Sequence, residues 1–246
     1  MSSKLTPSGA ALAEGTIEVW LLAVPPGPTD AGLDLLDSHE RSRWGKFHFD
    51  QDRRLYGSAH ALLRVALSHY APVNPCDWRF EAGPFGRPEL AGAFAGLDLR
   101  FNLSHTFGLA ACVIARNRAV GIDVELLDTP ADLSAIAQSY FTRCECAQIS
   151  AATSELKSEV FLSIWTLKEA YLKARGVGLA VPLRSFSVTV APPRIRPAFD
   201  DDCWDWYASL SRENECYLVA LAIPRVCRDE APNLLYRRFE APWFDS

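Results

Sequence analysis

The stretch VGIDVE, residues 120–125, reads as a β-strand that carries two acids. Val120, Ile122 and Val124 are apolar, two of them β-branched valines and the third an isoleucine, all favoured in strands. Successive side chains of a strand point to opposite faces, so these three share one face while Gly121, Asp123 and Glu125 share the other. Asp123 and Glu125 are then neighbours, roughly 6.5–7 Å apart along the strand. Two adjacent carboxylates repel each other. Either water solvates that face or a cation binds there, and the six residues alone leave both open.

Outward from this strand the chain repeats one plan. Upstream lie a strand at 16–24 ended by PPGP, a helical pattern from Asp37 to Tyr70 closed by Pro72, and a short strand WRFE at 78–81. A Gly/Pro turn at 83–90 follows, then a strand FGLAACVIA at 107–115, with FNLSHT (101–106) just before it. Downstream come the strand at 119–125, helices near 130–140, 143–152 and 155–175, and strands at 185–190, 203–210 and 216–223. A Pro-rich turn occupies 192–197. Strand, helices and then a run of strands, met twice, predicts an α+β fold of two similar subdomains. Each would be a small antiparallel sheet packed with helices, related by a pseudo-two-fold duplication. The seam falls at 116–120, giving halves of 1–117 and 118–246.

Bulk properties narrow the function. The 246 residues are 49% hydrophobic and 22% charged, an ordinary globular balance. A net charge of −5 argues against nucleic acid as a partner. No run of eighteen apolar residues occurs, so no membrane span is expected. The first sixteen residues read as a loose tail rather than a signal peptide. Seven scattered cysteines (76, 112, 144, 146, 203, 216 and 227) read as reduced thiols of a cytoplasmic protein, because Cys144-x-Cys146 lacks the spacing of a zinc site.

Three more clusters carry polar chemistry. On the helix that carries WTLKEAYLKARGVGL (165–179), Val160, Ile164, Leu167 and Tyr171 form the core stripe. Glu169 and Lys173 lie on the face away from it, beside Trp165 and Leu172. By itself this is most simply an exposed i,i+4 pair stabilising by roughly 0.2–0.5 kcal/mol. Gly176 caps the helix and is no nucleotide loop, since it follows a helix instead of a strand. In FNLSHT, His105 sits among Asn, Ser and Thr, a set able to hold an anion but also ordinary turn chemistry. A Ser–His–Asp hydrolase is disfavoured, because Ser104 adjoins His105 and no nucleophile elbow exists. Between 40 and 64, six Arg/Lys face three acids in a chain that is acidic overall. Such a helix is either a solvated face or a phosphate site.

Taken in order, GRP (86–88), FNLSHT, VGIDVE and WTLKEAYLKARGVGL resemble the 4′-phosphopantetheinyl transferases, specifically the larger pseudo-dimeric (Sfp-like) type associated with surfactin synthetase. The resemblance runs from about residue 40 to about 190. It implies magnesium-dependent transfer of 4′-phosphopantetheine from coenzyme A to a serine of an apo acyl or peptidyl carrier protein, releasing 3′,5′-ADP. Carriers of fatty-acid, polyketide or nonribosomal peptide synthesis would all suit, and the enzyme would be a monomer with its site in the cleft between halves.

By the same resemblance, Asp123, Glu125 and Glu169 would hold Mg2+, Glu125 directly or through water. Lys173 would stabilise the departing ADP, and Glu169 or a water beside it would take the serine proton. Ser104 and His105 would hold the 3′-phosphate with Arg41, Arg43 and Arg53. Gly86, Arg87 and Pro88 would face the adenine, and Lys168 would reach a phosphate. The family often has Lys where this chain has Arg41 and Arg87, and residues after 190 match nothing specific in it. Two alternatives use the same residues: a magnesium-dependent phosphohydrolase, and a coenzyme A or carrier-binding module without turnover.

Overall fold

The structure is a computed structural model that describes residues 10, 12–127, 133–197, 205–225 and 231–244. Cys203, Cys227, most of the N-terminal tail, the start of the helix expected near 130 and the first residues of the strand expected at 203 lie outside the described residues. The chain divides into two compact units, one of residues 1–117 with 233–246 and the other of 118–232.

The first unit contains β1 (Thr16–Ala23), α1 (Ser38–Trp44), α2 (Asp50–Tyr70), β2 (Phe80–Ala82), β3 (Pro88–Leu90), β4 (Leu99–Thr106) and β5 (Leu109–Arg116). The second contains β6 (Gly121–Leu126), α3 (Ser134–Tyr140), α4 (Arg143–Ala151), α5 (Lys157–Arg175), β7 (Ser187–Val190), β8 (Pro193–Arg196), β9 (Trp206–Glu213) and β10 (Tyr217–Pro224). The chain then returns to the first unit with β11 (Asn233–Arg238). The molecule is thus a mixed α+β protein.

In the first unit the sheet order is β11-β1-β5-β4. β5 is antiparallel to both β1 and β4, whereas β11 runs parallel to β1, pairing Thr16 with Asn233 through Leu21 with Arg238. The stretch 233–238, expected to belong to the second half, is therefore an edge strand of the first sheet. α2 covers the sheet, and Leu62, Leu63, Leu67, Trp78, Phe101, Cys112 and Ile114 fill the core between them.

The single helical pattern expected over 37–70 is two helices. Asp37 and Glu40 form a reciprocal capping box that starts α1, and Gly45 closes it. Extended backbone at Phe49 precedes α2. FNLSHT lies within β4 rather than before a strand, and Phe107-Gly108 is the turn into β5, with Gly108 at φ 81°.

Arg64 lies fully buried in α2 of this unit and organises a network. Its guanidinium donates to Glu40 at 2.6 and 2.9 Å, to Asp37 at 3.0 Å, and to the carbonyls of Pro75 and Trp78. His60 Nδ1 lies 2.8 Å from Glu40. Burial opposes the Glu40 charge, yet contacts with His60 and Arg64 outweigh it and hold the carboxyl down at about 2.

In the second unit the sheet is β6-β10-β9, antiparallel throughout, with β10 central and almost wholly buried. α5 packs on β6 and β10. Ile164, Leu167 and Tyr171 of the expected stripe are completely buried, and Gly176 ends the helix at φ 66°. The expected Pro-rich turn contains β8, paired with β7 in a hairpin.

Candidate active site

The face of β6 that carries Gly121, Asp123 and Glu125 meets α5. A Cβ at Gly121 would stand 2.0 Å from the Ala170 carbonyl oxygen and 2.5 Å from the Ala174 nitrogen. The helix backbone thus rests on Gly121, and no side chain fits between them. Because α5 comes this close, residues of one helix stripe reach the acids further along β6. Four residues of strand span about 13 Å and eight of helix about 12 Å. The row Gly121, Asp123, Glu125 is accordingly matched in length by the row Trp165, Glu169, Lys173, spaced i, i+4, i+8.

Contacts between the two rows are specific. Lys173 Nζ donates to Asp123 Oδ1 at 2.7 Å, and Asp123 is buried. Burial, and then the negative charges of Asp123 and Glu169, push the Glu125 carboxyl up to about 7 against the opposing pull of Lys173 and Trp165. Burial and Asp123 also raise Glu169, opposed by Lys173. One ammonium therefore faces three carboxylates in a partly desolvated place, and a positive charge is in deficit. The exposed Glu169–Lys173 pair suggested by spacing alone is not what forms, since both residues are partly buried and Lys173 reaches across to the strand.

Among the described residues no three His, Cys, Asp or Glu side chains converge as a ready-made metal cage. The donor set nonetheless fits a hard divalent cation. Mg2+ takes oxygen ligands and is usually held by one or two carboxylates together with substrate phosphates, not by an all-protein cage.

Lys168 has a different role from the phosphate contact expected of it. It is fully buried, and its three N–H donors are taken by Glu145 at 2.8 Å and by the carbonyls of Leu183 and Phe186 at 2.7 and 2.8 Å. Glu145, equally buried, also accepts from the Val188 N–H and closes a capping box with Thr142. The pair bolts α4, α5 and β7 together. The sequence signal for Glu145 was the T-x-x-E box at 142–145, which marks a helix start and says nothing about the ion pair behind it.

The remaining expected residues belong to the first unit. Arg41 donates to the carbonyls of Leu36 and Asp34, the Arg43 guanidinium lies over Tyr56, and Arg53 pairs with Asp50 at 3.1 Å over Trp44. These three line the α1–α2 segment. Gly86, at φ 80°, forms the tip of the β2–β3 hairpin, and Pro88 starts β3. Arg87 turns inward, donates to the Phe101 carbonyl at 3.1 Å, and has its pKa lowered mainly by burial. Ser104 and His105 are consecutive in β4, so their side chains take opposite faces, Ser104 buried and His105 exposed.

A family model described as the 4′-phosphopantetheinyl transferase superfamily matches residues 119–222. The chain is 33% identical over 209 residues to the 4′-phosphopantetheinyl transferase HetI of Nostoc sp., covering 83% of this chain and 88% of that one. It is 27% identical over 243 residues to a phosphopantetheinyl transferase of Thraustochytrium sp., covering 90% and 84%. To the transferase Sfp of Bacillus subtilis it is 27% identical over 156 residues, covering 63% and 67%. The chain belongs to the 4′-phosphopantetheinyl transferase family, in its Sfp-like type. It is an enzyme that transfers the phosphopantetheine group to carrier proteins, and neither the phosphohydrolase nor the binding module is favoured.

Proposed function

We propose that the reaction runs at the β6–α5 face, with coenzyme A as donor, a carrier-protein serine as acceptor and Mg2+ as the metal. The observation that carries this reading is the cluster of Asp123, Glu125 and Glu169 around a single ammonium, Lys173. Asp123, Glu169 and Glu125 would hold the cation together with the coenzyme A pyrophosphate. When bound, the metal supplies Lewis-acid stabilisation of charge on the phosphoryl oxygens.

The chain's own residues do the rest. Lys173 lies on the same stripe as Glu169 and neutralises charge on the departing 3′,5′-ADP. The carrier serine oxygen forms its bond to the phosphorus that bears the pantetheine arm as the bond to the ADP oxygen breaks. The serine proton passes to Glu169 or to a water beside it, and a raised carboxyl pKa suits Glu169 to that role. His105, exposed on β4, and Arg41, Arg43 and Arg53 are the proposed contacts for the 3′-phosphate, and the Gly86–Pro88 turn for the adenine. No helix among the described residues is long and apolar enough to cross a membrane.

The test is to incubate the protein with apo carrier proteins of fatty-acid, polyketide and peptide-synthetase type, coenzyme A and Mg2+, and to weigh the carriers intact. A gain of one phosphopantetheine that EDTA suppresses supports the reading, and the pattern across carriers names the partner. Carriers that stay apo while coenzyme A is consumed would contradict it.

A further inference from the structure

α1 is attached to its unit chiefly through charge. Of its seven residues only Glu40 is buried, and Trp44 packs partly buried against the Tyr56–Ala61 side of α2. A helix that short is not stable by itself and needs an anchor. The anchor is Arg64, fully buried in α2. Its Nε and Nη2 donate to Glu40 Oε2 at 2.9 and 2.6 Å, and Nη2 also donates to Asp37 Oδ2, at the helix N-cap, at 3.0 Å. The other arm of the same guanidinium serves a different segment. Nη1 donates to the carbonyls of Pro75 and Trp78 at 2.9 and 3.1 Å. The guanidinium also lies 5.0 Å over the ring of Phe80, the first residue of β2. A second path closes the circle, because the Asp34 carbonyl accepts from Arg41 of α1 at 3.1 Å and from the Cys76 thiol at 3.8 Å. One side chain thus joins α1 to the base of the β2–β3 hairpin.

We propose that Arg64 is a positioning residue for coenzyme A, acting through Asp37 and Glu40 on α1 and through residues 75–80 on the β2–β3 hairpin. α1 carries Arg41 and Arg43, and the hairpin tip is Gly86–Pro88, so Arg64 fixes the 3′-phosphate contacts and the adenine turn in one mutual arrangement. This rests on the reading of those two segments as the nucleotide contacts. Groups that bind a ligand must be held within about half an ångström of their productive places. A forked guanidinium sets direction as well as attraction, which the compact ammonium of a lysine does not. A buried ion pair is seldom more stabilising than apolar packing of the same volume, and the geometry it imposes is its distinctive contribution here.

The experiment compares wild type, Arg64→Lys, Glu40→Gln, Arg41→Ala and the Arg64→Lys/Arg41→Ala double variant, each where circular dichroism shows it folded. Calorimetry gives the affinity for coenzyme A and for the analogue lacking the 3′-phosphate, and transfer to an apo carrier protein gives kcat and KM. Arg64→Lys keeps the buried charge and loses the fork. It is expected to weaken coenzyme A binding about tenfold or more and to raise KM in step, with kcat at saturating coenzyme A largely retained. The analogue loses less, so the preference for the 3′-phosphate narrows. Glu40→Gln narrows it in the same way, and decides the matter if the lysine variant does not fold. In the Arg41→Ala background, Arg64→Lys adds a smaller loss than it does in wild type. A merely structural role would lower the urea midpoint and leave KM and the preference unmoved.

An unchanged KM and preference in folded Glu40→Gln and Arg64→Lys, or losses that multiply independently in the double variant, would overturn the role of Arg64 and leave the nucleotide contacts intact. A wild-type protein that binds coenzyme A and the analogue alike, or Arg41→Ala that binds coenzyme A as wild type does, would overturn the reading of α1 and the role of Arg64 with it.

Discussion

Lys173, in the last turn of α5, donates to Asp123 on β6 at 2.7 Å, joining the two signature segments of the chain through one ion pair. Fifty residues separate them in sequence. They meet because Gly121 lets the helix backbone settle on the strand, and the account of the site depends on that approach.

Gly121→Ala tests it. The added methyl would lie 2.0 Å from a backbone oxygen, and helix backbone cannot yield as a side-chain tip can, so α5 must move out by an ångström or more. The expected result is a loss of about 1–3 kcal/mol in stability by urea unfolding. A disproportionate fall in transfer rate per folded molecule should accompany it, because Glu169 and Lys173 retreat from Asp123. A variant as active as wild type would show that the spacing is irrelevant.

Lys168 gives the opposite pattern. Lys168→Ala leaves Glu145 buried and unpaired, and such broken pairs cost about 3–5 kcal/mol. Lys168→Met with Glu145→Gln removes both charges and should recover much of that loss. The double variant should transfer at close to the wild-type rate with an unchanged KM for coenzyme A. A large rise in that KM would restore Lys168 as a phosphate contact.

Acid should unfold the first unit through Glu40. Its carboxyl titrates near 2 in the folded protein against an ordinary 4.5, so the folded state binds fewer protons than the unfolded chain. The stabilisation is fully present above pH 4.5 and is lost as pH falls from 4.5 toward 2. It amounts to something on the order of 3 kcal/mol. Urea unfolding followed by tryptophan fluorescence between pH 7 and 3 would show the decline. Glu40→Gln should be less stable at neutral pH and flatter below pH 4.5, and an unchanged slope would refute the assignment.

His105→Ala should weaken coenzyme A binding about tenfold, in the range expected for a lost hydrogen bond to a charged group. Binding of the analogue lacking the 3′-phosphate should change little. Calorimetric titration of both ligands decides it, and equal losses would exclude the 3′-phosphate role.

The parts of this molecule legible in its sequence are those written by local periodicity. VGIDVE alternates with a period of two and forms β6, and the i, i+4, i+8 spacing of Trp165, Glu169 and Lys173 sets one stripe of α5. What was not legible depends on partners distant along the chain. FNLSHT has the composition of a turn, yet each of its six residues pairs with the apolar β5, and that makes it a strand. β11 is specified by β1, more than two hundred residues upstream, so 233–238 could not be assigned to the first unit from its own composition. Lys168 and Lys173 stand on one helix with similar local surroundings in sequence. Only the packing of Glu145 behind the first and Asp123 beside the second separates a structural lysine from a site lysine.

The most direct measurement is the rate at which Asp123→Ala loads an apo carrier protein, read by intact mass at saturating coenzyme A and over a wide range of Mg2+. The account predicts a loss of about a thousandfold or more, corresponding to several kcal/mol of transition-state stabilisation, that no concentration of Mg2+ repairs. The protein would still unfold cooperatively in urea. Loading at near wild-type rate would contradict the assignment of the β6–α5 face as the centre of the reaction.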